Sequence, residues 1–599
     1  MRSILAKKCR KDIVEMILGA GSGHIGGALS SIDLYLAVLT SMGDGDRLVV
    51  SHGHTSAALY AALGNLGYFD IKEAVASFRR GAPYEGHPSL QVNGVEWCSG
   101  CLGQGLSVGA GFALAKKIKK EAGRVFVVMG DGEQQKGQLQ EAREFAVRHG
   151  LDNLVAIVDD NGQQACGTVA STTTQNLFDK YKMSGWEVLS VDGHSFEALE
   201  NALRPTGKPL CILAQTVMGK GIPEIENDYR YHGTVLDGAL AVKSIERFAL
   251  TAEEEKALEA FQKPNRETYA APVIPKRKGR VYEGASDIRS ALGNALCDLA
   301  KENPHVPIAA FDCDLEGSVK LTDFKKARPE GFVECGIAEH NAATAAAAAA
   351  KSGVIAVHAD FAMFNIAETY SQNRMADINH APVKLFCTHA GLDVGEDGKT
   401  HQSIDYISLL SNLHGVKVIV PADANQADSA VRYAMSVPEA VAVVGGRSKM
   451  PILTDACGEP LDFCYGKAEW LRQGEDGVIL TYGNMAHRAV RVADELKEEG
   501  IGVGVLNCST PCELDADAVA LAAKTGLVVT YEDHNLKTGI SGEVAKIICG
   551  LPCTLKCLGV RKYGSSASPE ALYREQGLDT ESLKSIIKLS IEEKTSCKR

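Results

Sequence analysis

An aspartate between two glycines, Gly130-Asp131-Gly132, and an asparagine thirty positions later, Asn161, are the residues of this chain suited to hold a hard cation. Carboxylate and amide oxygens ligate Mg2+ or Ca2+, and an ion so held can neutralise a diphosphate. The glycines let backbone N–H groups come close to phosphate oxygens. Histidines form a second group: His24 in Gly21-Ser-Gly-His-Ile-Gly-Gly27, His52 and His54 in Ser51-His-Gly-His-Thr-Ser56, and His87 in Glu85-Gly-His-Pro88. Leu102-Gly-Gln-Gly105 follows. Histidines and hydroxyls at a junction between strand and helix suit an anionic ligand. Singly each is a loop histidine in solvent; together these loops read as one polar pocket.

Such residues need a rigid frame. Val125–Met129 and Leu154–Val158 are apolar runs that read as buried strands, with Leu139, Ala142, Phe145 and Ala146 at helical spacing between them. That is a strand–helix–strand unit with Asp131 and Asn161 at the carboxyl ends of its strands, the edge where open parallel sheets bind ligands. Ile32, Tyr35, Leu36 and Leu39 mark an earlier helix, Pro209–Thr216 a further strand and Ala252–Gln262 a charged helix. The basic, proline-containing stretch Lys263–Arg280 reads as a linker.

Beyond it, a helix through Leu292 and Leu296 precedes a strand at Pro307–Phe311. The run Ala342–Ala350, broken only by Thr344, predicts a buried helix, since alanine is the strongest helix former. Glu339 falls just before it or in its first turn. Val354–Val357 reads as a strand running on to Phe361-Ala-Met-Phe364, and Ala442–Val444 as another. Gly477–Thr481, Gly502–Leu506 and Leu527–Val529 are strand candidates of a third segment.

Composition narrows the class. A chain of 599 residues holds several domains, and 45% hydrophobic with 23% charged residues is ordinary for a globular protein. The net charge of −12 argues against nucleic acid as a partner. No run is long enough for a membrane span, and the charged start MRSILAKKCRKDIVEM does not read as a secretion signal. Seventeen cysteines scattered over the chain favour reduced thiols and a cytoplasmic location. Cys98-Ser-Gly-Cys101 lacks a second ligand pair and reads as ordinary thiols.

With these motifs the chain resembles the transketolases, a thiamine-diphosphate-dependent family. Asp131 to Asn161 is similar to the cofactor fingerprint, His24 to Ser-Gly-His-x-Gly, His54 to Gly-His-x-Ser and His87 to Gly-His-Pro. Gly395-Glu-Asp-Gly-Lys-Thr-His-Gln402 is similar to a long family motif. The resemblance implies three doubly wound α/β domains: a diphosphate-binding domain over 1–265, a linker at 266–285, a pyrimidine-binding domain over 286–455 and a C-terminal domain over 456–599. It also implies a homodimer with active sites at the subunit interface, and sugar phosphates as substrates. The activity it implies is transfer of a two-carbon ketol unit from a ketose phosphate, such as xylulose 5-phosphate, to an aldose phosphate, with the cofactor's carbanion attacking the ketose carbonyl.

Site residues follow from the same resemblance. Asp131, Asn161 and Gln163, the last through its backbone carbonyl, would hold Mg2+ or Ca2+ with thiamine diphosphate. His54, Leu102, Gly103, Gly132 and His232 would contact the cofactor, Phe361 and Phe364 would flank its pyrimidine, and Glu339 would generate the carbanion. Arg289, Ser318, His389 and Arg447 fall at the phosphate end of the substrate. Asp397 would read a hydroxyl, and His24, His87, His232 and His401 would line the channel and move protons. Two departures stand out: Cys101 replaces a usual proline, and Lys136 replaces a glutamate of a carboxylate network, although Glu141 is retained. A relative using another donor, as in deoxyxylulose-phosphate synthesis, and a non-catalytic sugar-phosphate-binding paralogue are the alternatives.

Overall fold

The computed structural model describes residues 1–258 and 269–596, with side chains to 594. The C-terminal end of the helix expected at Ala252–Gln262 and the first part of the expected linker lie outside the described residues. Backbone packing divides the chain into two compact units, Met1–Ala270 with Ala347–Ser352, and Ala271–Ala346 with Gly353–Arg599.

The first unit is built on β1 (Arg47–Val50), β2 (Val125–Gly130), β3 (Leu154–Asp160), β4 (Glu187–Asp192) and β5 (Leu210–Gln215). They form a parallel sheet in the order β1-β2-β3-β5-β4. Val125 to Met129 are wholly buried because helices cover both faces, which is why β2 reads as an unbroken apolar run. The helix Gln138–Arg148 lies between β2 and β3, with Leu139, Ala142, Phe145 and Ala146 buried. Ile25–Ser41 is a helix buried along most of its length. Asp131 and Asn161 sit just past the carboxyl ends of adjacent strands.

The second unit carries two sheets. In the first, β6 (Ile308–Asp312), β7 (Phe332–Glu334), β8 (Ile355–Phe361), β9 (Lys384–Thr388), β10 (Val416–Ile419) and β11 (Ala440–Val444) are all parallel, ordered β10-β11-β9-β8-β6-β7. The alanine run forms the helix Glu339–Lys351, so Glu339 is its first residue. In the second sheet, β12 (Glu469–Arg472) pairs antiparallel with β14 (Val503–Asn507), followed by β13 (Gly477–Thr481), β15 (Leu527–Asn535) and β16 (Thr554–Val560), paired in parallel. Three α/β domains therefore make up the chain.

The described end of the expected linker is tied down. Ile274 is buried and its N–H donates to the Met435 carbonyl at 2.7 Å, while Arg280 pairs with Asp298 at 2.6 Å. The third sheet in turn braces the second: the buried Asp533 of β15 accepts Leu392 N–H at 2.9 Å and the Tyr573 hydroxyl at 2.7 Å. Burial pushes Asp533 up to about 6. Among the described residues no helix is long and apolar enough to cross a membrane.

Candidate functional site

In the first unit, the turn after β2 and the turn after β3 face each other. Asp131 Oδ2 accepts Gly162 N–H at 2.6 Å, and Asn161 Oδ1 accepts Gln163 N–H at 2.9 Å. Gly162 has φ +73°, a left-handed turn that glycine adopts at little cost. Asp131 is 3% exposed, and burial, with Asp159 beside it, pushes its carboxyl up to about 8. The side-chain oxygen Oε1 of Gln163 is buried without a hydrogen-bond partner. A buried acid, an amide oxygen and, among the described residues, an orphaned acceptor fit a hard divalent ion. Asp159 holds the neighbouring wall, accepting the hydroxyls of Ser30 at 2.7 Å and Ser31 at 2.6 Å.

The histidine loops converge beside this cup. The rings of His24 and His54 are 5.1 Å apart, those of His54 and His232 5.1 Å, and those of His24 and His232 5.7 Å. Burial and the neighbouring His232 lower His24 to about 4, and burial also lowers His54 and His232, so all three are neutral. Arg79 Nη2 lies 3.2 Å from His24 Nδ1. Arginine only donates, so Nδ1 is the acceptor and Nε2 carries the proton. The exposed His87 lines a cleft with Arg79 and Glu85, of about 460 Å³.

Glu133 was not foreseen. It is 3% exposed and its carboxylate accepts Ser51 Oγ at 2.6 Å, Gly103 N–H at 2.7 Å and Gly130 N–H at 2.9 Å. One acid thus ties together three loops, including the Leu102-Gly103 turn. Its only signal in the sequence is an acid directly after Gly-Asp-Gly. Gly103 has φ +85°, and a Cβ on it would stand 2.5 Å from Lys136 Cβ. Lys136 therefore lays its stem over this turn while its side chain is exposed in the single chain. Cys101 is an exposed thiol and Leu102 is exposed.

In the second unit the expected residues also converge. Phe361 ends β8 and stacks with Phe364 at 5.9 Å and 17°. His389 follows β9 and its ring centroid is 3.7 Å from that of Phe361; His401 lies 5.3 Å from Phe364. Arg289, Ser318, Phe361, His389, Asp397, His401, Arg447 and Ser448 line one cleft of about 480 Å³. Arg289 donates to the carbonyls of Ser318 and Arg447, both at 3.1 Å, and its Nη1 is 3.4 Å from His389 Nε2. Arg447 pairs with Asp397 at 3.1 Å and with Glu396. Asp393, a second residue sequence reasoning passed over, accepts the N–H groups of Arg447 at 2.6 Å and Ser448 at 2.8 Å and so aims this loop. Burial, then Arg289 and Arg447, lower His389 to about 3, so it enters the cleft uncharged.

The two groups of residues belong to different units: Asp131, Asn161, Gln163, Gly132, His24, His54, His87, Leu102, Gly103 and His232 to the first, and Glu339 with the aromatic and arginine residues to the second.

Comparison with known proteins covers both units. Residues 2–263 match the family model described as transketolase, thiamine diphosphate binding domain, residues 285–452 its pyrimidine binding domain and residues 466–583 its C-terminal domain. The chain is 30% identical over 565 residues to transketolase-like protein 2 of Mus musculus, covering 91% of this chain and 88% of that protein. It is 29% identical over 612 residues to the transketolase of Rattus norvegicus, covering 97% and 96%. The crystal structure of transketolase from Campylobacter jejuni superposes with a TM-score of 0.80 at 25% identity, covering 98% of this chain and 99% of that one. With all three domain models matched in order along its length, the chain belongs to the transketolase family.

Proposed function

We propose that the protein is a cytoplasmic transketolase, moving a two-carbon ketol unit between sugar phosphates on thiamine diphosphate. The observation that carries this reading is the position of Phe361. Its ring stacks with Phe364, a face suited to an aromatic heterocycle, and the same ring borders the cleft holding Arg289 and Arg447. A flat apolar platform and a two-arginine phosphate cleft are thus joined through one side chain.

When bound, thiamine diphosphate supplies the carbanion that attacks a ketose carbonyl and accepts the electrons of the broken C–C bond. Asp131, Asn161 and Gln163 would hold Mg2+ or Ca2+ on its diphosphate, with His54, Gly103, Gly132 and His232 around it. Glu339 would hold a proton on the pyrimidine from the first turn of its helix. His24, neutral and with its proton on Nε2, donates to a substrate hydroxyl, and His87, His232 and His401 exchange protons as hydroxyl and carbonyl interconvert. Arg289 and Arg447 take the phosphate, which displaces Asp397 and Glu396 from Arg447 and leaves Asp397 to receive a hydroxyl. Each site is completed in a homodimer, by the diphosphate-binding domain of one subunit and the pyrimidine-binding domain of the other.

The test is incubation of the purified chain, thiamine diphosphate and Mg2+ with xylulose 5-phosphate and a panel of aldose phosphates. Ketol transfer to at least one acceptor is expected. No transfer, with the cofactor demonstrably bound, removes the reading.

A further inference from the structure

A second cluster of ligating side chains lies inside the pyrimidine-domain sheet, apart from every residue given a role above. Cys313 follows β6, and His358 and Asp360 are alternate residues of β8, so the latter two share one face of the sheet. The register pairs His358 with Phe311, which brings Asp360 level with Cys313. Their ligating atoms all lie within 4.8 Å of one another, with His358 Nε2 and Asp360 Oδ2 3.8 Å apart. Cys313 is 2% exposed, and His358 and Asp360 are 0% exposed.

What singles this cluster out is how poorly its polar atoms are satisfied. Among the described residues neither ring nitrogen of His358 nor Asp360 Oδ2 makes a well-formed hydrogen bond; their polar neighbours are Asn365 beside His358 and Cys313 beside Asp360. Buried polar groups left this way weigh against the folded state unless something satisfies them. Two further thiols flank them: Cys387 pairs in register with Asp360, and the Cys335 N–H donates to the Asp312 carbonyl at 2.9 Å. The carbonyl oxygen of the Asn365 side chain, whose amide nitrogen donates to the His358 backbone, is also buried and unpartnered.

We propose that Cys313, His358 and Asp360 bind a structural zinc ion, with Cys335 or Cys387 closing a tetrahedral set. Thiolate, imidazole and carboxylate are the ligands zinc takes, at about 2.0–2.3 Å, which puts ligand atoms about 3.3–3.7 Å apart. Closing the three present separations, all 4.8 Å or less, to that range takes shifts of up to about 1.5 Å, and the closing thiol has farther to move. His358 Nε2 faces the ion, which leaves Nδ1–H for the Asn365 oxygen, the outer hydrogen bond that metal-bound histidines ordinarily make. The ion takes the places of the protons on Cys313, Asp360 and the closing thiol, which leave to solvent. It cross-links the ends of β6 and β8, and Asp360 directly precedes Phe361. The negative charge of Glu339 acts on both Asp360 and Cys313, so a cation here also relieves the repulsion among these buried acids.

The experiment measures metal content of the full-length protein after dialysis into Mg2+ buffer, then after reloading with Zn2+ or Co2+. About one zinc per chain is expected. The cobalt form is expected to show a thiolate-to-metal charge-transfer band in the near ultraviolet. Cys313→Ser and His358→Gln should lose the zinc, and a Cys98→Ser, Cys101→Ser control should keep it. Should the variants not fold, the cobalt spectrum of the unaltered protein decides. Absence of the charge-transfer band, zinc unchanged in both variants, or a Cys313–Cys335 disulfide in a metal-free protein would each overturn the proposal. None of these readouts depends on ketol transfer, so failure here is distinguishable from failure of the proposed activity.

Discussion

Glu133 offers the sharpest test of how this fold holds its cofactor loops. Its carboxylate accepts two backbone N–H groups, Gly103 at 2.7 Å and Gly130 at 2.9 Å, and the Ser51 hydroxyl at 2.6 Å. In Glu133→Ala the hydroxyl can turn to another acceptor, but the two N–H groups cannot. Each buried donor left without a partner costs about 1–3 kcal/mol, so the local loss is about 2–6 kcal/mol. Glu133→Gln is graded: its amide oxygen can replace Oε2, serving Ser51 and Gly103, while its NH2 then confronts the Gly130 N–H. One donor is lost, and about 1–3 kcal/mol with it. Amide hydrogen exchange reads this locally, because exchange through local opening reports the stability of the segment. Protection at Gly103 and Gly130 should fall by about 30-fold or more in Glu133→Ala and less in Glu133→Gln, and thiamine diphosphate affinity should fall in the same order. Protection within threefold of the parent at both glycines in Glu133→Ala would refute the argument.

Three further outcomes are expected. Arg447→Ala should lower kcat/KM for phosphorylated ketoses by about 10–100-fold, the loss of one charge-assisted anchor, and leave a non-phosphorylated ketose nearly unchanged; an equal loss on both would remove the phosphate role. His534 accepts Ile407 N–H at Nε2 (3.1 Å) and faces the Asn535 carbonyl through Nδ1 (3.2 Å), and burial lowers it to about 4. The unfolded chain therefore takes up the proton first, and stability falls as pH drops from about 6.5 to 4, by at most about 1.4 kcal/mol per unit for this group. His534→Gln should flatten that acid limb in urea unfolding, and an unchanged slope would assign it elsewhere. Lys136→Glu should change cofactor affinity or turnover, since the lysine stem packs on Gly103; identical values for both would leave Lys136 without a role.

The pattern of what could be read in advance has a physical basis. Strands buried on both faces, such as β2 and β3, stand out as apolar runs, and the proposed ligating residues follow their carboxyl ends, so Asp131 and Asn161 were visible. The edge strand β12 (EWLR) and the half-exposed β16 carry no such signal, and both were missed. β15 extends six residues past Val529 because Glu532, Asp533 and His534 are buried there against partners distant in sequence, the Tyr482 hydroxyl, the Leu392 N–H and the Ile407 N–H. Glu133 depends on Ser51, 82 positions away, and no local pattern announces that. In the π-helix Met363–Glu368 after Phe361, Asn365 turns inward to the His358 carbonyl at 2.9 Å and the Phe386 carbonyl at 3.4 Å, the second 21 positions away.

The most direct measurement co-expresses two differently tagged variants, Asp131→Asn and Glu339→Gln, and assays ketol transfer in the isolated mixed dimer. If each site joins the diphosphate-binding domain of one subunit to the pyrimidine-binding domain of its partner, the mixed dimer contains one doubly altered site and one intact site. It should recover about half the activity of the unaltered dimer, while each variant alone is inactive. A mixed dimer as inactive as its parents, alongside an active unaltered protein, would contradict the account.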